Sequence, residues 1–331
     1  MMLELSAAAV EKPWGGTRLK NLFPDRNLPS GNIGELWLVS TVGEDDCHSR
    51  VVNGDHSGST LRECLIESPQ KFLGENLARQ FPPGEFPLLF KWIDASTDLS
   101  VQVHPDDKLA KQLGLGENGK EETWLILDAE PGATVRVGFS EGWDMNRLVK
   151  AVSEGEEISE SLQRWSVEKG DLVHIPPGTV HSIGGGILLA EIQQPSDVTF
   201  RIHDGETLGS DGQPRELHLD MAARSGTSSV AEYCKGAEFS RGVWQQRVTP
   251  VAYQVFELQG EWHGDIPLPS EGCSVVTCLS GEASIGSGSA QDQETLLPGD
   301  VRLIMPETPS ITLKTGEEGW FAVFSPRIRP R

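Results

Sequence analysis

The amino-acid sequence predicts an all-β-dominated fold, in which two jelly-roll β-barrels follow one another in tandem with short helical insertions. The chain has 331 residues, which is more than one hydrophobic core usually serves, so two domains are expected. Its 36 Gly and 21 Pro residues accompany strand-like runs that recur between turn residues, and no long helical pattern dominates. A segment from the middle of the chain also recurs near its end, which indicates two copies of one structural unit.

This internal repeat pairs KGDLVHIPPGTVHSI (169–183) with PGDVRLIMPETPSIT (298–312). Each copy contains a Gly-Asp pair, an apolar strand, a turn with Pro and a short strand. The offset is a constant 129 residues, so that His181 pairs with Ser310. Double-sheet jelly rolls include the cupins, and the number of strands and turns in this chain meets what that architecture requires. The sequence therefore predicts two cupin-like barrels.

The first predicted barrel covers residues 1–205. Helical spacing predicts a helical piece at 60–79 with a break near Pro69, and a helical insertion of one or two short helices at about 144–165. The strand-like runs are 33–40, 86–94, 99–105, 123–129, 134–139, 171–177 and 186–193.

The second predicted barrel covers residues 251–331. Residues 206–250 carry few strand signals and many polar residues, so they are predicted to connect the two barrels. The strand-like runs of the second barrel are 251–260, 274–286, 300–306, 310–314 and 319–326.

Charge and composition exclude several classes of partner. The formal net charge is −21, which argues against nucleic acid and anionic membrane surfaces, because both need basic patches. No apolar stretch approaches the length of a membrane span, and the start MMLELSAAAV has no basic leader. Five Cys residues without a CxxC pair suggest neither a disulfide framework nor a Cys-based zinc site. A cytoplasmic protein is expected.

One predicted strand has a polar face. In LSVQVHPDD (99–107), Ser100, Gln102 and His104 point to one side of the strand, and the two valines point to the other. A barrel strand normally turns apolar residues inward, so the polar face either meets solvent or lines a functional cavity.

Two further segments favour the functional cavity. KEETWLIL (120–127) places Glu122 at the start of an apolar strand with Lys120 on the same side, and PPGTVHSIGGG (176–186) places His181 just after a Pro-Gly turn. Together with the polar face, they supply one Gln, two His and one Glu. These oxygen and nitrogen ligands suit Zn²⁺, and less well Mn²⁺ or Fe²⁺. Spacing alone leaves open whether the four residues converge.

The other histidines are weaker candidates. His174 lies within an apolar strand and is expected to be a packed histidine. The histidines in polar, loop-like contexts are expected at the surface; they are His48, His56, His218 and His263.

Several segments in succession resemble the motifs of type I mannose-6-phosphate isomerases in their short bacterial form. The resemblance spans roughly residues 3–325, and the order of its QVHPDD, KxE and GTVHxIG blocks is highly specific. The segments are WGG (14–16), GELWLVS (34–40), FPLLFKWIDASTDLSVQVHPDD (86–107), GKEETWLIL (119–127), GDLVHIPPGTVHSIGGGILLAEIQQPSDVTFR (170–201) and RELHL (215–219).

The resemblance implies one zinc per chain in the first cupin-like barrel. The ligands that it implies are Gln102, His104, Glu122 and His181. It also implies a catalytic-pocket role for Arg201, with Glu191 as an acidic neighbour. The residues implied to hold the phosphate are Lys91, Ser100 and Lys120. For Lys91 the alternative is a surface lysine at the exposed edge of a strand.

The sequence departs from the family pattern at two places. His203-Asp204-Gly205 stands where the family usually has YDW or YDY, and Lys120-Glu121-Glu122 stands where it has K-T-E or K-P-E. Neither departure removes a ligand, and both leave room for an altered substrate preference.

The implied reaction is the interconversion of mannose 6-phosphate and fructose 6-phosphate through an enediol. Glu191, Lys120 and a metal-bound water are the candidates for proton transfer. Arg201 stays protonated, so it is expected to stabilise the enediolate. The alternative for Glu191 and Arg201 is an ion pair that supports the barrel wall.

Two other functions fit the sequence less well. A sugar-binding or regulatory cupin without turnover would not need all four ligands. An iron-dependent cupin oxygenase fits the Gln ligand and the adjacent lysines poorly. The second predicted barrel is expected to hold no metal, because no histidine follows His263 and Cys278 lies in an apolar run typical of core packing.

Overall fold

Antiparallel strands make up most of the secondary structure. A computed structural model describes residues 1–26, 28–209, 211–227, 230–287 and 292–328. The strands in the first half of the chain are β1 (Met2–Glu4), β2 (Ala8–Gly16), β3 (Ile33–Val39), β4 (Leu89–Ala95), β5 (Val101–Val103), β6 (Glu122–Ala129), β7 (Thr134–Phe139) and β8 (Leu162–Ser166). The later strands are β9 (Leu172–Ile175), β10 (His181–Ile183), β11 (Ile187–Gln193), β12 (Phe200–His203), β13 (Glu232–Cys234), β14 (Tyr253–Gln259), β15 (Trp262–Asp265), β16 (Ser274–Ser280), β17 (Ala283–Gly286), β18 (Glu294–Leu296), β19 (Val301–Ile304), β20 (Thr312–Thr315) and β21 (Trp320–Pro326).

The helices are short. They are α1 (Arg18–Leu22), α2 (Leu61–Glu67), α3 (Pro69–Leu73), α4 (Glu75–Ala78), α5 (Asp107–Leu113), α6 (Met145–Glu154) and α7 (Leu219–Ser225). The 3₁₀ turns are Pro24–Arg26, Asp45–Cys47, Gly54–His56 and Gly236–Glu238. Across the described ranges, none of the helices is long and apolar enough to cross a membrane.

The chain divides into two compact units. Barrel A comprises residues 9–36 and 92–236, and barrel B comprises residues 1–8, 37–91 and 237–331. The chain passes from one unit to the other within strands β2, β3 and β4. Each unit is therefore built from more than one segment of the chain. The division at residues 205 and 250 stays a prediction.

Barrel A is built from two sheets. One sheet has the strand order β13-β9-β6-β11-β4-β2-β3, and the other has the order β12-β5-β10-β7-β8. Apolar residues of both sheets form one core cluster, to which Trp124 and Val173 contribute from the first sheet and Val135 and Ile183 from the second. The two sheets thus face each other around a shared core, as in a jelly roll.

Barrel B repeats this arrangement. Its sheets have the orders β1-β19-β16-β21-β14 and β15-β20-β17-β18. Val276 and Phe321 from the first sheet share a core cluster with Ile285 and Leu313 from the second. The order β9-β6-β11 in barrel A matches β19-β16-β21 in barrel B, so the two units have the same topology.

The hydrogen bonds around the Gly-Asp pairs confirm the predicted repeat. Gly170 N–H donates to Ile126 O at 2.9 Å, and Gly299 N–H donates to Cys278 O at 2.9 Å. Both glycines have a positive φ, 93° and 78°, which glycine adopts without the steric cost of a Cβ. The strands that follow them, β9 and β19, occupy equivalent positions in the two sheets.

The helical predictions are confirmed in part. A helix end at Ser68 separates α2 from α3, as Pro69 requires. The predicted insertion at 144–165 is shorter, because Gly155 ends α6 in a left-handed conformation. Residues 162–166 form strand β8 instead, which pairs with β7.

The predicted connection at 206–250 contains ordered structure of barrel A. Helix α7 lies within it, and β13 pairs with β9 at the edge of the larger sheet. The Tyr233 hydroxyl lies 2.6 Å from Asp171 Oδ2, and Gly236 N–H donates to Asp171 Oδ1 at 2.7 Å. Hydrogen bonds to the Asp171 carboxylate thus hold β13 in place. This strand is too short and too polar to show alternating apolar and polar residues in the sequence.

Candidate metal and active site

Strand β5 and the residues directly before and after it place three polar residues on one side of the smaller sheet of barrel A. It lies between β10 and β12, and Gln102 is directly opposite His181 on one side and Arg201 on the other. Directly opposite residues of paired strands project from the same face of a sheet. The valines of β5 instead belong to an apolar cluster on the other face. His104 and Ser100 are buried, so the polar face predicted at 100–104 lines the inside of the protein.

His104, Glu122 and His181 converge at one point. Their ligand atoms all lie within 4.8 Å of one another. Glu122 Oε1 is 3.2 Å from His181 Nε2, and Glu122 Oε2 is 3.6 Å from His104 Nε2. All three residues are at most 1% exposed. Since β6 carries Glu122 and the smaller sheet carries the histidines, both sheets of barrel A contribute to the group.

Backbone carbonyls orient both imidazole rings. His104 Nδ1 lies 2.7 Å from Val198 O, and His181 Nδ1 lies 2.9 Å from Thr179 O. A carbonyl only accepts, so each Nδ1 carries a proton, and each Nε2, on the side of Glu122, is the ring nitrogen that could bind a metal. Metal-binding histidines are typically held in this way. Burial lowers the pKa of His181 to about 4, so the ring is neutral at pH 7, as metal binding requires.

Gln102 lies beside the two histidines. Its Nε2 is 3.2 Å from His181 Nε2 and 3.5 Å from His104 Nε2, and its Oε1 accepts from Ser100 Oγ at 3.2 Å. A half turn of the amide exchanges its oxygen and nitrogen, and a hydroxyl can accept as well as donate. Gln102 can therefore turn an oxygen toward the histidines and still bond to Ser100. The resulting set of two nitrogens and two oxygens fits a divalent metal such as zinc.

A buried lysine links two carboxylates next to this group. Lys120 Nζ is 3.1 Å from Glu122 Oε2 and 3.7 Å from Glu191 Oε1. Trp124 Nε1–H donates to Glu191 Oε2 at 2.9 Å. Glu191 is thus oriented by an indole and a lysine, neither of which the sequence patterns identified as its partner.

Arg201 is held at the edge of the site. It donates from a terminal nitrogen to Glu216 O at 2.8 Å, and its Nε is 3.8 Å from Asp204 Oδ2. Asp204 in turn accepts from Arg215 Nε at 2.6 Å. Burial, followed by the charge of Arg215, lowers the pKa of Arg201. The carboxylate that lies close to Arg201 is therefore that of Asp204. The cation that lies close to Glu191 is Lys120.

Lys91 belongs to barrel B and is buried at 3% exposure. Its Nζ is 5.8 Å from the ring centroid of Trp37, a cation–π distance. The alternative of a surface lysine is therefore wrong.

The remaining histidines differ from one another. His174 is buried, as expected, and His263 is exposed. The surface prediction for His48 is wrong, because the ring is 6% exposed and its Nε2 lies 3.2 Å from Gly43 O. The turn at Asp45–Cys47 folds this loop back on itself, which a count of polar neighbours does not reveal.

Barrel B has small or apolar residues where barrel A has its acidic ligand. Glu122 pairs with Ile175, and Ser274 pairs with Ile304, the repeat partner of Ile175. Ser274 is therefore the counterpart of Glu122. Its Oγ lies 2.7 Å from the Oγ of Ser325, so a pair of hydroxyls occupies that position.

The counterpart of His181 differs from the prediction by one residue. Ile183 and Leu313 both belong to the core cluster of their barrel, and the inward-facing residues two positions earlier are His181 and Ile311. Ser310, which the constant offset paired with His181, is one residue out of register. The offset is 129 between Ile175 and Ile304 and 130 between Ile183 and Leu313, so one additional residue between β19 and β20 breaks it. Barrel B therefore has an apolar side chain at this position.

The comparisons with known proteins agree on one enzyme family. Residues 2–123 match the family described as phosphomannose isomerase type I, catalytic domain. The protein YvyI of Bacillus subtilis, whose name assigns it provisionally as a mannose-6-phosphate isomerase, is 32% identical over 308 residues, covering 92% of this chain and 93% of YvyI. The mannose-6-phosphate isomerase ManA of the same organism is 40% identical over 209 residues, covering 63% of this chain and 62% of ManA. A crystal structure of the mannose 6-phosphate isomerase from Bacillus subtilis matches with a TM-score of 0.81 and 28% identity, over 98% of this chain and 99% of that one.

Proposed function

Since the chain belongs to the type I mannose-6-phosphate isomerase family, we propose that it interconverts mannose 6-phosphate and fructose 6-phosphate through an enediol, with one bound zinc ion. The observation that carries this proposal is the convergence of His104, Glu122 and His181 within 4.8 Å, beside Lys120 and Glu191. The odd number of cysteines, five, and the absence of a CxxC pair suit the reducing cytoplasm that we propose as the place of the reaction.

Four residues of barrel A would hold the metal: Gln102, His104, Glu122 and His181. A bound zinc ion would act as a Lewis acid that polarises the sugar oxygens. The protein contributes two imidazoles with preset orientation, one carboxylate and one amide oxygen. This arrangement is ready before the metal arrives, because Val198 O and Thr179 O hold the rings.

Proton transfer is assigned to Glu191 and Lys120. Trp124 fixes one carboxylate oxygen of Glu191, and Lys120 Nζ lies 3.7 Å from the other. The carboxylate of Glu191 can take the proton from one sugar carbon and return it to the other. The ammonium of Lys120 beside it can donate a proton to the sugar oxygen that gains negative charge and take it back when the carbonyl forms again. A positioned acid or base of this kind typically contributes ~10²–10⁴-fold to the rate.

Arg201 is assigned to the developing enediolate oxygen. It lies opposite Gln102 on the neighbouring strand, so it faces the same side of the sheet as the proposed metal ligands. Its guanidinium stays protonated at pH 7, and a fixed positive charge stabilises an oxyanion more in the transition state than in the substrate.

The family resemblance implies a phosphate-binding role for Lys91, Ser100 and Lys120, and we propose that role for each residue. We expect Lys91→Ala to raise KM for mannose 6-phosphate about 10-fold or more, because a charge-assisted hydrogen bond contributes roughly 1.5–3 kcal/mol. KM for free mannose should stay unchanged. Steady-state kinetics with both sugars measures the difference, and the exposed Lys111→Ala on α5 is the matched control. An equal effect on both sugars would remove Lys91 from phosphate recognition.

The conversion itself is tested with zinc-loaded protein and mannose 6-phosphate, by following fructose 6-phosphate with ³¹P NMR. We expect turnover in both directions without an added redox cofactor and without oxygen consumption. Binding of the sugar without turnover would favour a sugar-binding cupin, and oxygen uptake would favour an oxygenase.

A further inference from the structure

A second group of polar residues lies on the face of β6 opposite the metal ligand. Thr123 Oγ1 is 3.0 Å from His174 Nδ1, and His174 Nε2 is 3.4 Å from Glu121 Oε1. Each of the three residues is at most 3% exposed. One histidine on strand β9 thus contacts the two residues that flank Glu122 in the sequence.

The strand geometry separates this group from the metal site. Successive side chains of a strand alternate between its faces, so Thr123 points away from the face that carries Glu122 and Trp124. Thr123 and His174 are directly opposite each other in the pairing of β6 with β9. The contact between Thr123 and His174 therefore holds the start of β6 on the face opposite the metal site.

The backbone before β6 is held on its other side as well. Glu121 N–H donates to Gln194 Oε1 at 3.0 Å, and Gln194 N–H donates to Glu121 O at 3.1 Å. Lys120 N–H donates to Pro105 O at 3.0 Å. The three residues Lys120 to Glu122, of which two face the site, thus belong to a segment fastened from two directions.

A hydroxyl, an imidazole and a carboxylate in a row also occur in nucleophilic triads. That role does not fit here, because Thr123 is 0% exposed and a substrate has no access to its hydroxyl. These three side chains can instead fix the positions of the residues next to them in the sequence.

We propose that Glu121, His174 and Thr123 are positioning residues that set the metal affinity of the site by fixing Glu122. This inference rests on the proposed metal site. Metal ligands must be held within about 0.5 Å of their working geometry, and loss of outer partners typically weakens metal binding 10–100-fold. Both sequence neighbours of Glu122 contact His174. Loss of these contacts would therefore let the backbone move at the metal ligand itself.

The test is the zinc Kd of metal-free protein, measured by competition with a chromophoric chelator. We expect Glu121→Ala and His174→Leu each to weaken zinc binding about 10-fold or more, with the stoichiometry unchanged. The double variant should be little weaker than the worse single variant, because the two residues act through one contact. His174→Gln, which keeps an amide near the Nε2 position, should recover part of the affinity.

A matched control separates positioning from general stability. Tyr233→Phe removes a hydroxyl that bonds to Asp171 in the same sheet, so it should lower Tm and leave the zinc Kd unchanged. If His174→Leu does not fold, Glu121→Ala decides. A normal zinc Kd in the Glu121 and His174 variants would overturn the positioning role. Failure of the unaltered protein to bind zinc would instead overturn the proposed metal site, and this inference with it.

Discussion

Replacing His181 by Ala should remove the bound metal and lower kcat at least ~100-fold, because the Lewis acid contributes several kcal/mol to transition-state stabilisation. The imidazole is fully buried and its Nε2 lies 3.2 Å from Glu122. Alanine would leave the carboxylate without this neighbour and the metal without a nitrogen ligand. His104→Ala should behave in the same way, since its ring has the same carbonyl-held orientation. Metal content by mass spectrometry and kcat, measured on the same preparation, check both effects together.

His263→Ala is the control for these variants. His263 is exposed and lies on β15 of barrel B, so its loss should change neither metal content nor kcat. A His181 variant that retains the metal and full turnover would contradict the assignment of the site.

Replacing Arg201 by Ala should lower kcat about 100-fold, the typical cost of losing one donor to a developing oxyanion. KM should change less, because the charge on the oxygen is greatest in the transition state. Arg201→Lys keeps the positive charge but loses the planar fork that donates to Glu216 O. We therefore expect it to recover only part of the rate. Steady-state kinetics on zinc-loaded protein separates kcat from KM.

The matched control for Arg201 is Arg164→Ala. Arg164 lies on β8 of the same sheet, and its side chain is half exposed. Its loss should leave kcat unchanged. An unchanged kcat in Arg201→Ala, with a lowered Tm, would assign Arg201 to holding the segment of Asp204 and Glu216.

The features that could be predicted from the sequence are those whose geometry follows from the spacing of residues along one segment. Alternation along β5 placed Gln102 and His104 on one face, and the structure brings His104 together with His181 and Glu122. The Gly-Asp repeat predicted two units of the same topology, since a Gly with positive φ followed by an apolar strand repeats a backbone path as well as a composition.

The features that could not be predicted from the sequence depend on contacts between distant segments. The carbonyls of Val198 and Thr179, which orient the histidines, leave no trace in side-chain type. The contact of Glu121 with His174 depends on strand register, which spacing within one strand does not determine. The edge strand β13 has three residues, too few to show a period, so the sequence predicts a connection there.

A zinc titration of metal-free protein, with turnover of mannose 6-phosphate followed at each addition, tests the central claim most directly. The chain should be inactive at the start, and the rate should rise linearly and reach its maximum at about one zinc per chain, because the ligands are assigned to barrel A, whereas barrel B has Ser274 and Ile311 at the positions that correspond to Glu122 and His181. Full turnover before any zinc is added, or a maximum only at two zinc ions per chain, would contradict it.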